Sequence, residues 1–258
     1  MAIADSKIRT GQFVIDPENN QLTFLDMRFY ATEDGDMVPS VSTILDAYPK
    51  PAAFYQWLKD NTAEESERIK TEAGETGSMV HQLSEQYDLG ETVSMIDANG
   101  KIRYKAKEWS LFERYVAWCR EFNPEIVQTE FNIVSPKLGT GGTVDKEIIL
   151  DDMNLMIDLK TSNQINDTYW MQLAAYAKMF EERTGRLLDI AILWVNAKTR
   201  TTKYEKGKTY QIPGVQLLFP PRELEHYWKL FKHCQVLWNE VNGDMKPREI
   251  TYNLSHKK

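Results

Sequence analysis

The residues best placed to do chemistry are Asp145, Asp158 and Lys160, in the stretch GTGGTVDKEIILDDMNLMIDLK at residues 139–160. Two apolar segments, TVDKEIIL and NLMIDLKT, flank the turn signal Asp151-Asp152-Met153-Asn154, a pattern that predicts a β-hairpin. Side chains alternate across a strand, so Met156, Asp158 and Lys160 share one face and Ile157, Leu159 and Thr161 the other. Asp145, on the neighbouring strand, can come beside Asp158. Two converging carboxylates repel unless a cation neutralises them, and hard oxygen ligands suit Mg2+ or Mn2+. Lys160 would then orient an attacking water and offset charge growing on a phosphate. The alternative is a surface hairpin whose aspartate and lysine form an exposed ion pair, worth about 0 to 1 kcal/mol.

A second group lies upstream. Gly77, His81 and Glu85 spell GxxxHxxxE inside a helical pattern over residues 62–89 that is expected to break near Gly74 and Gly77. His81 and Glu85 stand one turn apart on a common face, where the histidine is either a metal ligand or structural. Glycine inside a helix costs about 1 kcal/mol and marks a place where something approaches closely. Glu130 falls on a predicted strand, EIVQTEFNIV, where it either joins the acidic group or is solvated. Downstream, Gln172 and Tyr176 share a face of a helix that Asp167 or Thr168 would cap and that ends near Arg183.

The elements that must position these residues read as follows. Phe13, Val14, Ile15, Leu22 and Phe24 alternate around Asp16-Pro17-Glu18-Asn19-Asn20, suggesting a leading hairpin. Ser40 caps a short helix carrying Val41, Ile44 and Leu45, and Pro51 opens another whose Phe54, Trp57 and Leu58 read as core, with base stacking as the functional alternative. A helix over residues 101–122 places Trp109, Phe112, Val116 and Cys119 on one apolar stripe. LLDIAILWV is a continuous apolar run of the kind a buried strand shows, so the strand, helix, strand order predicts a crossover over the sheet. Lys198, Arg200, Lys203, Lys206 and Lys208 form a basic hairpin that is either solvated or meets a phosphate backbone. A last helix over residues 221–241 covers the core, and the tail TYNLSHKK is expected to be loose.

Composition limits the classes. With 258 residues, 42% hydrophobic and 27% charged, the chain has the profile of a globular protein. No segment approaches the roughly 18 uninterrupted apolar residues of a membrane span, and MAIADSKIRTGQ has no secretory core. The expected setting is therefore cytoplasmic, in a bacterial or phage-infected cell. Cys119 and Cys234 are the only cysteines, both in helical apolar patterns, so neither a zinc knuckle nor an iron-sulfur cluster can be built from them. The net charge of −7 argues against a protein that coats duplex DNA but leaves room for a local basic groove.

Taken in order, GxxxHxxxE, Glu130, GGTVD at residues 141–145, DLK at 158–160 and QxxxY at 172–176 resemble the RecB-like branch of the PD-(D/E)XK nuclease superfamily. VPSVSTIL at residues 38–45 and DLKTS at 158–162 are similar to the stand-alone exonucleases of that branch found in phages and in mitochondrial genome maintenance. The resemblance implies an α/β fold with a restriction-endonuclease-like core: a central mixed β-sheet flanked by helices, plus an N-terminal helical arch. Residues 1–258 would be one nuclease domain, with a hairpin to residue 35, the arch over 36–123, the catalytic sheet over 124–215 and the covering helix over 216–245. It further implies that His81, Asp145 and Asp158 ligate Mg2+ or Mn2+ together with the Leu159 carbonyl. Lys160 would be the catalytic lysine, Gln172 and Tyr176 would position DNA or the lysine, and Glu85 would be either the acid of the family's first motif or a partner orienting His81, with Glu130 as a further supporting acid. The implied activity is a metal-dependent exonuclease on single-stranded DNA with a free end, leaving a 5′ phosphate. Replication or recombination proteins are candidate partners. The competing readings are a structure-selective endonuclease of the same superfamily and a non-catalytic DNA-binding recombination partner. The chain departs from several RecB-like relatives in lacking a four-cysteine cluster, and it has no GxxxxGK[ST] phosphate loop.

Overall fold

The computed structural model describes residues 7–9, 21–24, 27–198, 210–243, 247 and 251–253. In chain order the elements are β1 (Lys7–Arg9), β2 (Gln21–Phe24), β3 (Met27–Ala31), β4 (Met37–Pro39), α1 (Val41–Leu45), α2 (Ala52–Asp60), α3 (Ala63–Asp88) and α4 (Ala106–Phe122). They continue with β5 (Glu125–Ser135), β6 (Thr140–Leu150), β7 (Met153–Lys160), α5 (Asp167–Thr184), β8 (Asp189–Trp194), β9 (Gln211–Ile212), β10 (Val215–Leu218), α6 (Leu224–Asn242) and β11 (Thr251–Asn253). The central sheet is mixed and six-stranded in the order β5-β6-β7-β8-β10-β9. Among the described strands its one parallel pair is β7 with β8, the two joined through α5.

Helices flank both faces of this sheet. On one side Met156, Ile190 and Ile192 pack with the inner stripes of α1, α5 and α6. On the other, Ile148, Leu155, Ile157, Leu159 and Leu193 pack with Val80 and Leu83 of α3 and with Leu111, Phe112, Tyr115 and Trp118 of α4. Each sheet face is thus one set of alternate side chains. The β6–β7 hairpin turns through Asp151 and Asp152, both at positive φ (47° and 64°), as a two-residue primed turn requires.

Several expectations are corrected. The α3 helix runs unbroken for 26 residues through Gly74 and Gly77, started by a Thr62/Glu65 capping box that offsets part of the glycine cost. The α4 helix begins at Ala106 rather than 101, because Ile96 bridges Ile102 and Lys105 is the cap. Phe54, Trp57 and Leu58 of α2 are not core: Phe54 and Leu58 are 36% and 41% exposed, Trp57 is half-buried, and the helix buries no residue. Their spacing makes an apolar face, but among the described residues the ring contacts of Phe54 are with its own helix neighbours Tyr55 and Trp57. Helix α5 is capped by Asn166, one residue before the expected caps. In the tail, residues 251–253 pair with β1.

The leading hairpin takes another form, β2 and β3 pairing from Gln21–Tyr30 to Phe24–Met27, with β4 as a third strand. The turn expected at residues 16–20 lies outside the described residues. So do Arg200, Lys203, Lys206 and Lys208; Lys198, which is described, is exposed. Cys234 is buried and Cys119 half-buried, both free thiols. Among the described residues no helix is long and apolar enough to cross a membrane.

Candidate metal centre

The β6–β7 ladder ends at Lys146–Ile157. Beyond it the Leu159 N–H donates instead to Asp145 Oδ2 at 2.7 Å, so the aspartate closes the hairpin where the strands splay. Helix α3 lays His81 across this opening. Its Nδ1 lies 3.2 Å from Glu130 Oε1 and 3.5 Å from Asp145 Oδ1, and its Nε2 lies 2.9 Å from the Leu159 carbonyl oxygen. With acceptors at both nitrogens, the imidazole is favoured doubly protonated, N–H donating on each side. Burial alone would lower its pKa, but the Asp145 charge and the charge and hydrogen bond of Glu130 outweigh burial and raise it.

Glu130 reaches this position at a backbone cost. Its φ is +44°, the left-handed region, in the middle of β5. For a residue with a Cβ such a conformation costs on the order of 1 to 3 kcal/mol and persists only where the surroundings impose it. Ligand atoms of His81, Glu130 and Asp145 all lie within 4.8 Å of one another. Two carboxylates and an imidazole in a half-buried cluster are a donor set suited to a divalent cation.

Asp158 lies in the same cleft but outside that triad. Its Oδ2 is 2.6 Å from Lys160 Nζ, two residues along the same strand face. At that distance the ammonium pairs directly with the carboxylate. Burial raises the Asp158 carboxyl to about 6; Lys160 lowers it and the like charge of Asp145 adds to the rise. Lys160 moves the same way for the opposite reason. Burial would lower it, but Asp158 and then Asp145 hold it above its ordinary value, so it stays protonated. One cation shared by two buried carboxylates therefore leaves Asp158 the poorly compensated partner. The Lys160 ammonium also sits 4.6 Å from the centre of the Tyr169 ring.

Glu85 and Gln172 with Tyr176 complete the cleft, whose volume is about 950 Å³. Glu85 is one turn beyond His81. Burial and the charge of Glu130 raise its carboxyl, and it is Glu130 rather than Glu85 that contacts the imidazole. Gln172 Nε2 donates to the Tyr176 hydroxyl at 3.0 Å, and burial keeps that phenol protonated. The Tyr176 ring lies on β6 at Gly142, where any Cβ would overlap it; at Gly141 a Cβ would meet Tyr30 at 3.0 Å, a tight contact rather than an overlap. Gly77 is different. The nearest atom to an added Cβ is Thr161 Oγ1 at 3.5 Å, an ordinary contact, so close packing within the chain does not require it.

All of the residues singled out in the sequence, from His81 to Tyr176, therefore line one cleft, and the tightest group replaces Asp158 by Glu130. Tyr169 and Tyr30 were missed. Tyr169 precedes Gln172 by three residues, so helical spacing was a usable signal, and glycine inside a strand signals close approach.

No family model matches the chain, and no curated protein matches it. Among solved structures it is similar to the crystal structure of a "Putative exonuclease" from Eubacterium rectale, with 14% identity, a TM-score of 0.43, and coverage of 81% of this chain and 83% of that chain. At that identity and score the likeness supports nothing about this chain's activity.

Proposed function

We propose that this chain is a metal-dependent nuclease of the PD-(D/E)XK type, RecB-like, that hydrolyses phosphodiester bonds of single-stranded DNA from free ends. The observation that carries the reading is the meeting, in one cleft, of the His81, Glu130 and Asp145 ligand atoms with the protonated Lys160. His81, Glu130 and Asp145 would hold the cation, with the Leu159 carbonyl beside them; the mixed imidazole and carboxylate set suits Mn2+ as well as Mg2+. When bound, the ion would polarise a phosphate and lower the pKa of a bound water.

The chain's own residues supply the rest. Lys160, kept charged by Asp158 and Asp145, serves as a fixed cation and hydrogen donor toward the attacked phosphate and the attacking water. It is not a general base, since its pKa is raised. Water oxygen bonds to phosphorus as the P–O3′ bond breaks, with the water's proton released to solvent and one taken up by the departing O3′, leaving a 3′ hydroxyl and a 5′ phosphate. Tyr176 and Gln172, protonated or neutral at all working pH, present hydroxyl and amide groups to the strand. Preference for a free end, and a role for the α1–α4 region in guiding a single strand, extend the same reading.

The test is cleavage of end-labelled single strands in Mg2+ or Mn2+ by the parent and by Lys160→Ala, with chelator as control. Cleavage that survives chelation, or a variant as fast as the parent, overturns the reading. A circular single strand should survive; its cleavage would favour an endonuclease.

A further inference from the structure

Behind the cleft lies a charged group that the proposed reaction does not use. Lys146 follows Asp145 on β6 and points away from the cleft, among α3, α4 and β5, with its side chain 2% exposed. An isolated ammonium there would be neutralised or forced out, yet its three hydrogens all have acceptors. It donates to Ser84 Oγ at 3.2 Å and to Thr129 Oγ1 at 3.4 Å, and it pairs with the Asp88 carboxylate. The Tyr115 hydroxyl donates to the same carboxylate, and the Tyr115 ring centre lies 5.0 Å from the ammonium.

These partners flank the metal triad. Ser84 donates its hydroxyl to the His81 carbonyl at 2.8 Å. Thr129 immediately precedes Glu130 and donates to the Asp145 carbonyl at 3.2 Å. Lys146 itself follows Asp145. A single ammonium is thus linked to each triad member: to His81 through Ser84 on α3, to Glu130 through the adjacent Thr129 on β5, and to Asp145 as its neighbour on β6. Apolar side chains of similar volume would fill this space about as stably. They would not fix the rotation of α3 or hold β5 at Thr129, next to the left-handed Glu130, because dispersion contacts have no direction.

We propose that Lys146 is the positioning residue of the metal centre: it touches neither cation nor substrate, and it sets the mutual geometry of His81, Glu130 and Asp145. The inference rests on the reading that those three hold the cation. The experiment is Mn2+ titration calorimetry on the full chain, with thermal melts in chelator. A parent that binds no Mn2+ defeats the metal reading and this inference with it. Given parent binding, the double variant Lys146→Met/Asp88→Leu, which removes both charges, should melt near the parent and bind Mn2+ about ten- to a hundredfold more weakly. Parent-like affinity in that folded variant overturns this proposal alone and leaves the metal reading standing. Should the double variant not fold, Ser84→Ala/Thr129→Val keeps the ion pair and decides the matter. Weaker Mn2+ binding at an unchanged melting temperature supports the proposal, and unchanged binding overturns it.

Discussion

Two lysines on neighbouring strands, one buried and one half-buried, solve the same problem differently. Lys146 and Lys160 each pair with an aspartate and each lie within 5.0 Å of a tyrosine ring centre. Lys146 is 2% exposed and spends its hydrogens on Asp88, Ser84 and Thr129. Lys160 is 16% exposed, faces the cleft, and is held by one carboxylate and one ring face. A saturated buried cation can only hold structure together. An undersaturated one keeps donors for a substrate.

That contrast can be broken most severely in stability. Lys146→Ala strands the Asp88 carboxylate away from water, and breaking such a buried pair costs about 3 to 5 kcal/mol. Urea unfolding should show that loss, whereas Lys160→Ala should lose clearly less, because Asp158 is already raised to about 6 and can take a proton. Equal losses would erase the distinction. In activity the order inverts: Lys160→Ala should slow cleavage by about a hundred- to a thousandfold, the usual effect of removing one donor aimed at developing charge.

A third variant sharpens the role of strain. Glu130→Gly relieves a left-handed φ of 44°, and should recover on the order of 1 kcal/mol in chelator while weakening metal binding. Destabilisation with metal affinity intact would show that Glu130 is structural. The pH dependence follows from two of the raised groups, His81 and Asp158. In chelator, His81 contributes stability below its ordinary value of 6.5, and that contribution is lost as pH rises through its raised folded pKa. Asp158 contributes below 3.8 and loses its contribution as pH rises through about 6. The stability advantage of Asp158→Asn over the parent should therefore grow between those two values. In the parent the Mn2+-induced gain should grow as pH rises from 6.5 through the raised His81 pKa, since ligation displaces the imidazole proton. A flat difference would contradict both. The smallest effect concerns Tyr169: Tyr169→Phe keeps the ring and should leave kcat near the parent's, while Tyr169→Leu removes a cation–π contact worth about 0.5 to 2 kcal/mol and should lower kcat with KM unchanged.

The hairpin, its turn, the α5 crossover and the faces carrying Asp158 and Lys160 were legible in the sequence, because strand alternation and turn residues encode them locally. The candidate site residues were legible as a set that shares one cleft, although Tyr30 and Tyr169 were not among them. Their pairing was not: whether Asp158 meets a cation or Lys160 depends on how two strands splay beyond Lys146, which no periodicity records. Glu130 was left open because an alternating pattern gives a face and no φ. Lys146 went unread because a lysine in a strand suggests solvent, and its partners are 17 to 62 residues away. The aromatics of α2 misled in the opposite sense, since an apolar face does not say what covers it.

The most direct test of the account is pulsed electron paramagnetic resonance of Mn2+ bound to the parent and to His81→Ala. The account predicts nitrogen modulation from a coordinated imidazole in the parent and its loss in the variant. Bound Mn2+ with no nitrogen coupling, or coupling that persists without His81, would contradict a cation held by His81, Glu130 and Asp145.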